Sequence, residues 1–549
     1  MTFNRRMALG VGAVAAAGLA ALSWRRGGGG TRRVGFERGT LHRGNAAEPG
    51  TLDPALVQTE AEDFVTADLF TGLMTSDAAA RPVPGIAERW ETSPDGKVWT
   101  FHLRNAVWSD GVPVTADDFI FAWRRLVDPK VAAPYAYLLY PVKNAEKVNA
   151  GKLPLTALGV AAPDPHRLEV TLEHPAPYLL EMLTHMTTYP QPRHAIEAHG
   201  KDWTKPGIMV CNGAYILREW VANDHITLIK NPSFYDAAHV AIEKVIHYDT
   251  DDYAAALKRM RAGELDTQDR YPPEQIDWIK ANMPQAIAPI PELSVEYLSL
   301  NIGRKPFDDI RVRRAVNLAV NREVVTGRVR RVGDVPAYNI IPPGIANFPR
   351  GNHLDFQHMP VPDRIRQAQD LMRQAGFGPD RRVRTTYKIR STTAGMYRAV
   401  AEAIQQMLTL IYIDAAILPT DFAIFTGETQ QHDFDIAELG WLADFNDAQT
   451  YLDLFRTGGG NNWGQYSNPA FDTLLARSEQ EADVQRRGTI LAEAEALLLK
   501  DQATVPLYFW ASPYMAWPYV KGWVPNPSGY HRSRWLSIDE KARAAQFST

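Results

Sequence analysis

Alternating apolar and polar positions mark strands at Lys97–Arg104 and at His166–Leu172. A third alternation, Phe434-Asp435-Ile436-Ala437-Glu438-Leu439, predicts a strand that ends in a loop at Gly440-Trp441-Leu442-Ala443-Asp444. Helical spacing dominates elsewhere. Thr115 caps a run that is apolar every third or fourth residue through Arg125. Asp308 and Asp309 open an amphipathic helix reaching Val320, as the helix dipole favours. Asp363–Ala375 predicts another helix, stopped by Gly376, and Ala399–Leu410 a further one that runs into a strand at Ile413–Leu418. Strands and helices interleave irregularly, which predicts a mixed α/β protein without internal repeats.

At 549 residues the chain exceeds one hydrophobic core, so two or three lobes are expected. Apolar residues make up 45% and charged residues 22%, the balance of a globular body. Residues 1–33 hold six arginines and no acid, so a net charge of −4 leaves the remainder at −10. An acidic body argues against nucleic acid or anionic lipid as the main partner. Arg5-Arg6 precedes the uncharged run Met7–Leu22, which is the pattern of an export signal. The paired arginines resemble a twin-arginine signal. Ala8 stands where a Phe is usual, and both cleavage after Ser23 and an uncleaved anchor remain open. Gly27–Gly30 reads as a flexible linker.

The single cysteine, Cys211, can form neither an internal disulfide nor a zinc cluster, and is expected to pack as a small apolar group. Catalytic signatures are missing: there is no Gly-x-Ser-x-Gly, no His-Glu-x-x-His and no phosphate-binding loop. His194 and His199, five apart, do not share a helix face, and Gly458–Gly460 is a turn. No cofactor or metal is expected. Asp444, flanked by Trp441 and Phe445, has two readings. It either caps a turn or holds a small cation within an aromatic wall.

A series of landmarks carries a family resemblance. In order they are Leu52-Asp53-Pro54, Asp68–Leu73, Pro84–Trp90, Trp99–Arg104, Trp108–Phe119, Asn212–Tyr215, Asn231-Pro232, Phe307–Ala315 and Tyr466–Phe471. Together they resemble the extracytoplasmic solute-binding proteins (family 5) of peptide ABC transporters, particularly the oligopeptide-binding and murein-tripeptide-binding kinds. The resemblance implies a periplasmic-binding-protein type II fold with three lobes, a ligand cleft between lobes I and III, and a hinge of two crossing segments. Lobe I would comprise 34–70, 195–293 and 512–549, lobe II 71–194 and lobe III 294–511.

The resemblance also implies a monomeric periplasmic receptor, not an enzyme, that hands short peptides to an inner-membrane ABC permease. By position, Asp444 would hold the peptide's amino group, while Gly440 and Leu442 would pair with its backbone. Trp441, Tyr135 and Phe422 would wall pockets, and Gln58–Ala61, including Glu60, would be a flanking strand. Arg330 falls where a Lys can neutralise a carboxylate. Glu438 replaces an Arg that can meet the ligand, and Met396 stands where a His can meet the peptide carboxylate. Ser294 and Leu442 replace a disulfide found in some members. These departures predict a more acidic, less rigid amino-end site. The same fold serves murein peptides, dipeptides, nickel complexes, haem and sugars, and an exported peptidase or esterase is the alternative from another class.

Overall fold

The computed structural model describes residues 37–349, 351–390, 394–443 and 445–547. The leader and Asp444 therefore lie outside the described residues, and nothing is placed for them. The described residues form one compact unit organised on two large sheets and a smaller one.

The first has six strands in the order Met515–Ala516, Thr267–Gln268, Thr40–Gly44, Lys244–Tyr248, His225–Lys230 and Tyr215–Val221. Thr40–Gly44 runs parallel to Lys244–Tyr248, with Leu41 opposite Val245. The second sheet has the order Val335–Pro336, Thr504–Phe509, Ser294–Leu300, Ile436–Leu442, Val383–Arg390 and Ile413–Thr420. A smaller, four-stranded sheet consists of Ala87–Thr92, Val98–Leu103, Arg167–Thr171 and Val160–Asp164.

Sequence pattern explains these elements. In Val98–Leu103 the alternate residues Trp99, Phe101 and Leu103 are buried, so the small sheet has one face on the core. The helix Ala116–Leu126 covers it, with the Asp118 carboxylate accepting from the Thr115 backbone N–H at 2.8 Å. Leu41, Val245, Phe101, Leu168 and Trp123 belong to one hydrophobic core, so the small sheet and the first large sheet share an interior. The second large sheet is covered on both faces. Leu298, Tyr387 and Val505 pack with the helices Ile310–Ala319 and Ala394–Thr409. Val295, Tyr297 and Leu439 pack with the helix Val484–Lys500. Every residue of Ser294–Leu300 is consequently buried, as a strand between two covered faces must be.

The chain passes between the two large sheets twice. It leaves the first after Gln268 and enters the second at Ser294, then returns between Phe509 and Met515. The two passages cross and pair antiparallel, Ile290 opposite Ser512 and Pro291 opposite Ala511.

Two expectations change. The strand expected to end at Leu439 continues to Leu442, because Gly440, Trp441 and Leu442 pair with Glu296, Val295 and Ser294. The segment Gln58–Ala61 is not a strand. Thr59 caps the helix Glu60–Leu69, and Glu62 reaches back to accept from the N–H groups of Gln58 (2.6 Å) and Thr59 (2.9 Å). That reciprocal cap occupies the Gln58 and Thr59 N–H groups and commits the segment to a helix start.

The C-terminal helix Glu540–Gln546 is tied to the first sheet by a buried pair. Arg543 donates to Asp266 (3.0 Å) and to the Thr40 carbonyl (3.1 Å), and Tyr519 donates to the same carboxylate at 2.9 Å. Arg543→Ala leaves the buried Asp266 charge with two neutral donors, the Tyr519 hydroxyl and the His42 N–H, and no cation, and is expected to cost about 3–5 kcal/mol. Urea unfolding followed by circular dichroism measures that loss.

Candidate ligand cleft

Residues from the helix Glu60–Leu69, from the segments around 135 and 180–186, from the end of the strand Ile436–Leu442 and from the C-terminal segment line one cavity of about 170 Å³. The capped helix Glu60–Leu69 supplies Glu60 and Asp63, and Gln58 lies beside them. Segments that follow the small sheet's strands supply Tyr135, Glu181 and His185. The end of Ile436–Leu442 and the loop beyond it supply Leu442, Ala443, Phe445 and Asn446, the neighbours of Asp444 on both sides. Tyr530 and Arg532 close the cavity from the C-terminal segment. Thus Gln58, Glu60, Tyr135 and Leu442 come together, although Gln58 and Glu60 do so from a helix start.

Local contacts pin the loop around Asp444. Ala443 N–H donates to the Leu293 carbonyl at 2.8 Å, and Asn446 accepts from the Ala346 N–H at 2.9 Å. Phe445 stacks on Tyr178 with ring centres 4.9 Å apart. Arg487 lies over the other ring's system at 5.0 Å from the Tyr178 centroid and donates to both Asp447 oxygens, at 2.5 and 3.0 Å. Without a disulfide the loop is held by an aromatic stack and a buried, two-pronged ion pair.

Trp441 and Arg330 are engaged within the protein. The Trp441 indole donates to Thr450 at 3.0 Å and packs on the core of the second sheet. Phe422 opens the helix Phe422–Gln430. Arg330, in the π-helical turn Val325–Arg330, is only 6% exposed and is already paired. It donates to Asp334 at 2.5 Å and lies over the Tyr508 ring at 4.6 Å. It therefore meets a carboxylate of the protein itself.

Gly440 faces Glu296 across the ladder, and a Cβ there would come within 2.6 Å of the Glu296 carboxylate. That carboxylate binds Arg390 and accepts from Trp510 Nε1 at 3.1 Å. Arg390 also lies 4.2 Å from the Tyr397 ring centre. Sequence inspection missed this cation. It ends the strand Val383–Arg390, and its contact with Glu296 depends on long-range strand order that no local motif encodes.

Glu438 is fully buried beside this cluster, with Tyr387 donating to it at 2.5 Å and its other oxygen unpartnered. Burial and the Glu296 charge push its carboxyl well above the usual carboxylate range. Glu438 thus lies inside the second sheet, where burial disfavours its charged form, and not on the cavity wall.

Residues 81–463 match the family of bacterial extracellular solute-binding proteins, family 5. The chain belongs to that family, whose members are receptors for solutes. It is 37% identical to the periplasmic oligopeptide-binding protein OppA of Salmonella typhimurium, over 89% of this chain and 90% of the relative. The unliganded open form of the murein tripeptide-binding protein MppA superposes with a TM-score of 0.82 at 31% identity, covering 92% of this chain and 98% of that one. Haemophilus influenzae OppA in complex with RPPGFSPFR gives a TM-score of 0.75 at 33% identity, over 92% and 99%. The architecture is the type II periplasmic-binding fold, with its hinge of two crossing segments.

A carboxyl whose pKa is raised on folding favours the folded state below its unfolded pKa and loses that contribution as pH rises through the folded one. Glu438→Gln removes this titration. The variant is expected to gain stability relative to the parent as pH is raised from 5 to 9. Thermal melts across that range check the sign, and a parallel pH dependence of the two proteins would refute it.

Proposed function

We propose that this chain is an extracytoplasmic receptor that captures short peptides between closing lobes and delivers them to an ABC-type permease. The observation that carries the reading is the cavity lined by distant parts of the chain, with the residues on either side of Asp444 on its wall. End-to-end likeness to oligopeptide-binding proteins supports it. Lobe I is taken as 34–70, 195–293 and 512–549, lobe II as 71–194 and lobe III as 294–511. Rotation about the paired passages at Ile290–Pro291 and Ala511–Ser512 would open and close the cleft.

In this reading Asp444 receives the peptide's α-ammonium. Gly440 and Leu442 lie at the end of a ladder where an extended ligand can continue the hydrogen-bonding pattern. Backbone pairing reads no side chains, so one cleft accepts many sequences. Arg5-Arg6 and the apolar run after them direct export, in the manner of a twin-arginine signal. The receptor acts as a monomer.

Calorimetry with a di- to pentapeptide library on ligand-free protein tests the reading, and a library without a single binder would defeat it. Asp444→Ala, or acetylation of the peptide's amino end, is expected to cost about 2–5 kcal/mol in binding. Unchanged affinity in both experiments would remove Asp444 from the site.

A further inference from the structure

The cavity holds two carboxyls that the peptide backbone does not need. Asp63 is only 7% exposed and lines the cavity. One of its oxygens accepts from Tyr530 at 2.9 Å, and the other, Oδ1, has no partner. Glu181, which lines the same cavity from the short helix Leu179–Met182, makes no ion pair or side-chain hydrogen bond with any described residue. A buried acceptor without a donor, as Asp63 Oδ1 is, is costly unless a ligand completes it.

The surrounding charges are otherwise committed. Glu60 is bound to Arg270 at 2.9 Å. Arg532 donates to the Ala67 carbonyl (3.0 Å) and to Tyr189 (2.6 Å), so it offers Asp63 a field but no hydrogen bond. His185 is held neutral, its pKa lowered to about 4 by burial. Leu293, Leu442 and Met186 give the cavity an apolar lining along which an aliphatic stem can lie.

We propose that the cavity between Asp63 and Glu181 seats the side-chain ammonium or guanidinium of a cationic residue near the amino end of the peptide. This rests on the peptide-receptor reading above and deepens it, giving the receptor a preference within an otherwise sequence-tolerant cleft. The amino end is specified because Ala443 and Phe445, on either side of Asp444, line the same cavity. A second cation there supplies the donors that Asp63 Oδ1 and Glu181 lack.

The protonation balance gives this site a separate signature. Burial pushes both carboxyls up to about 7. Asp63 is faced by Glu60 and Glu62 of its own helix and by Tyr530 and Arg532 of the C-terminal segment. Glu181 is faced by Asp447 of the opposite loop, with Arg532 and His185 also on the cavity wall. An incoming cation favours the ionised carboxylates, so its binding drives protons out and strengthens as pH rises through 7.

The test is calorimetry on the folded, ligand-free protein with tri-alanine and its versions carrying one lysine or one norleucine at each position. Norleucine has the apolar stem without the charge. Lysine at the first or second position is expected to bind at least about tenfold tighter than norleucine there at pH 8, and within about threefold at pH 5.5. At pH 7, titrations in buffers of different ionisation enthalpy are expected to show release of about one proton more for the lysine peptide. E181Q and D63N should each cut the lysine-to-norleucine ratio to about threefold or less; because E181Q removes a partly exposed group with no internal partner, it serves where D63N folds poorly. Lysine and norleucine peptides of equal affinity at every position would overturn this site while leaving the peptide reading intact. Failure of all the peptides to bind would overturn both.

Discussion

The structure depends on a two-residue ladder between chain passages. Ile290–Pro291 and Ala511–Ser512 are the strands at which the two large sheets are coupled. Pro291 has no N–H to give, so the pairing is short by construction. It is reinforced by side chains: Ser512 donates to the buried carboxyl of Glu292, and Asp334 accepts both from the Ala511 N–H at 2.9 Å and from Arg330. A short ladder fixes where the passages cross while leaving few backbone bonds to resist rotation about it. Each wall of the cavity inherits its position from that crossing.

Burial sets the chemistry of those walls. Carboxyls and guanidiniums are removed from water, and each is neutralised, paired or displaced in pKa. Glu296 is balanced by Arg390 and Trp510, while burial and the Glu296 charge push the Glu438 carboxyl up. Gly440 belongs to this arrangement because its missing side chain is the space that the Glu296 carboxylate occupies. The charge visible in the sequence is therefore a poor guide to the charge a ligand meets.

Local signals were legible and distant ones were not. Thr115 with Asp118, and Asp309 before its helix, announce caps through contacts a few residues apart, and Asp309 accepts from Arg311 N–H at 2.8 Å. The burial of Trp99, Phe101 and Leu103 follows from period two. The extension of a strand through Gly440–Leu442 was invisible, since it requires the partner Ser294–Glu296, about 145 residues away. Glu60 and Asp63 look like ordinary helix-start acids. Only the packing of the C-terminal segment against their helix places Asp63 in a cavity. Among the candidates, Gln58, Glu60, Tyr135 and Leu442 converge, while Trp441 and Arg330 are engaged within the protein.

Cys211 is fully buried in the core shared by two sheets, where burial pushes its thiol up to about 12. It is the sole sulfhydryl of the chain, and the loop beside Asp444 is fastened by Arg487, Asp447 and stacked rings. No step in reaching this fold consumes an oxidant, and no bond in it can be broken by a reductant. The folded state is the same object in a reducing and in an oxidising compartment, so this receptor can complete its fold on either side of a membrane.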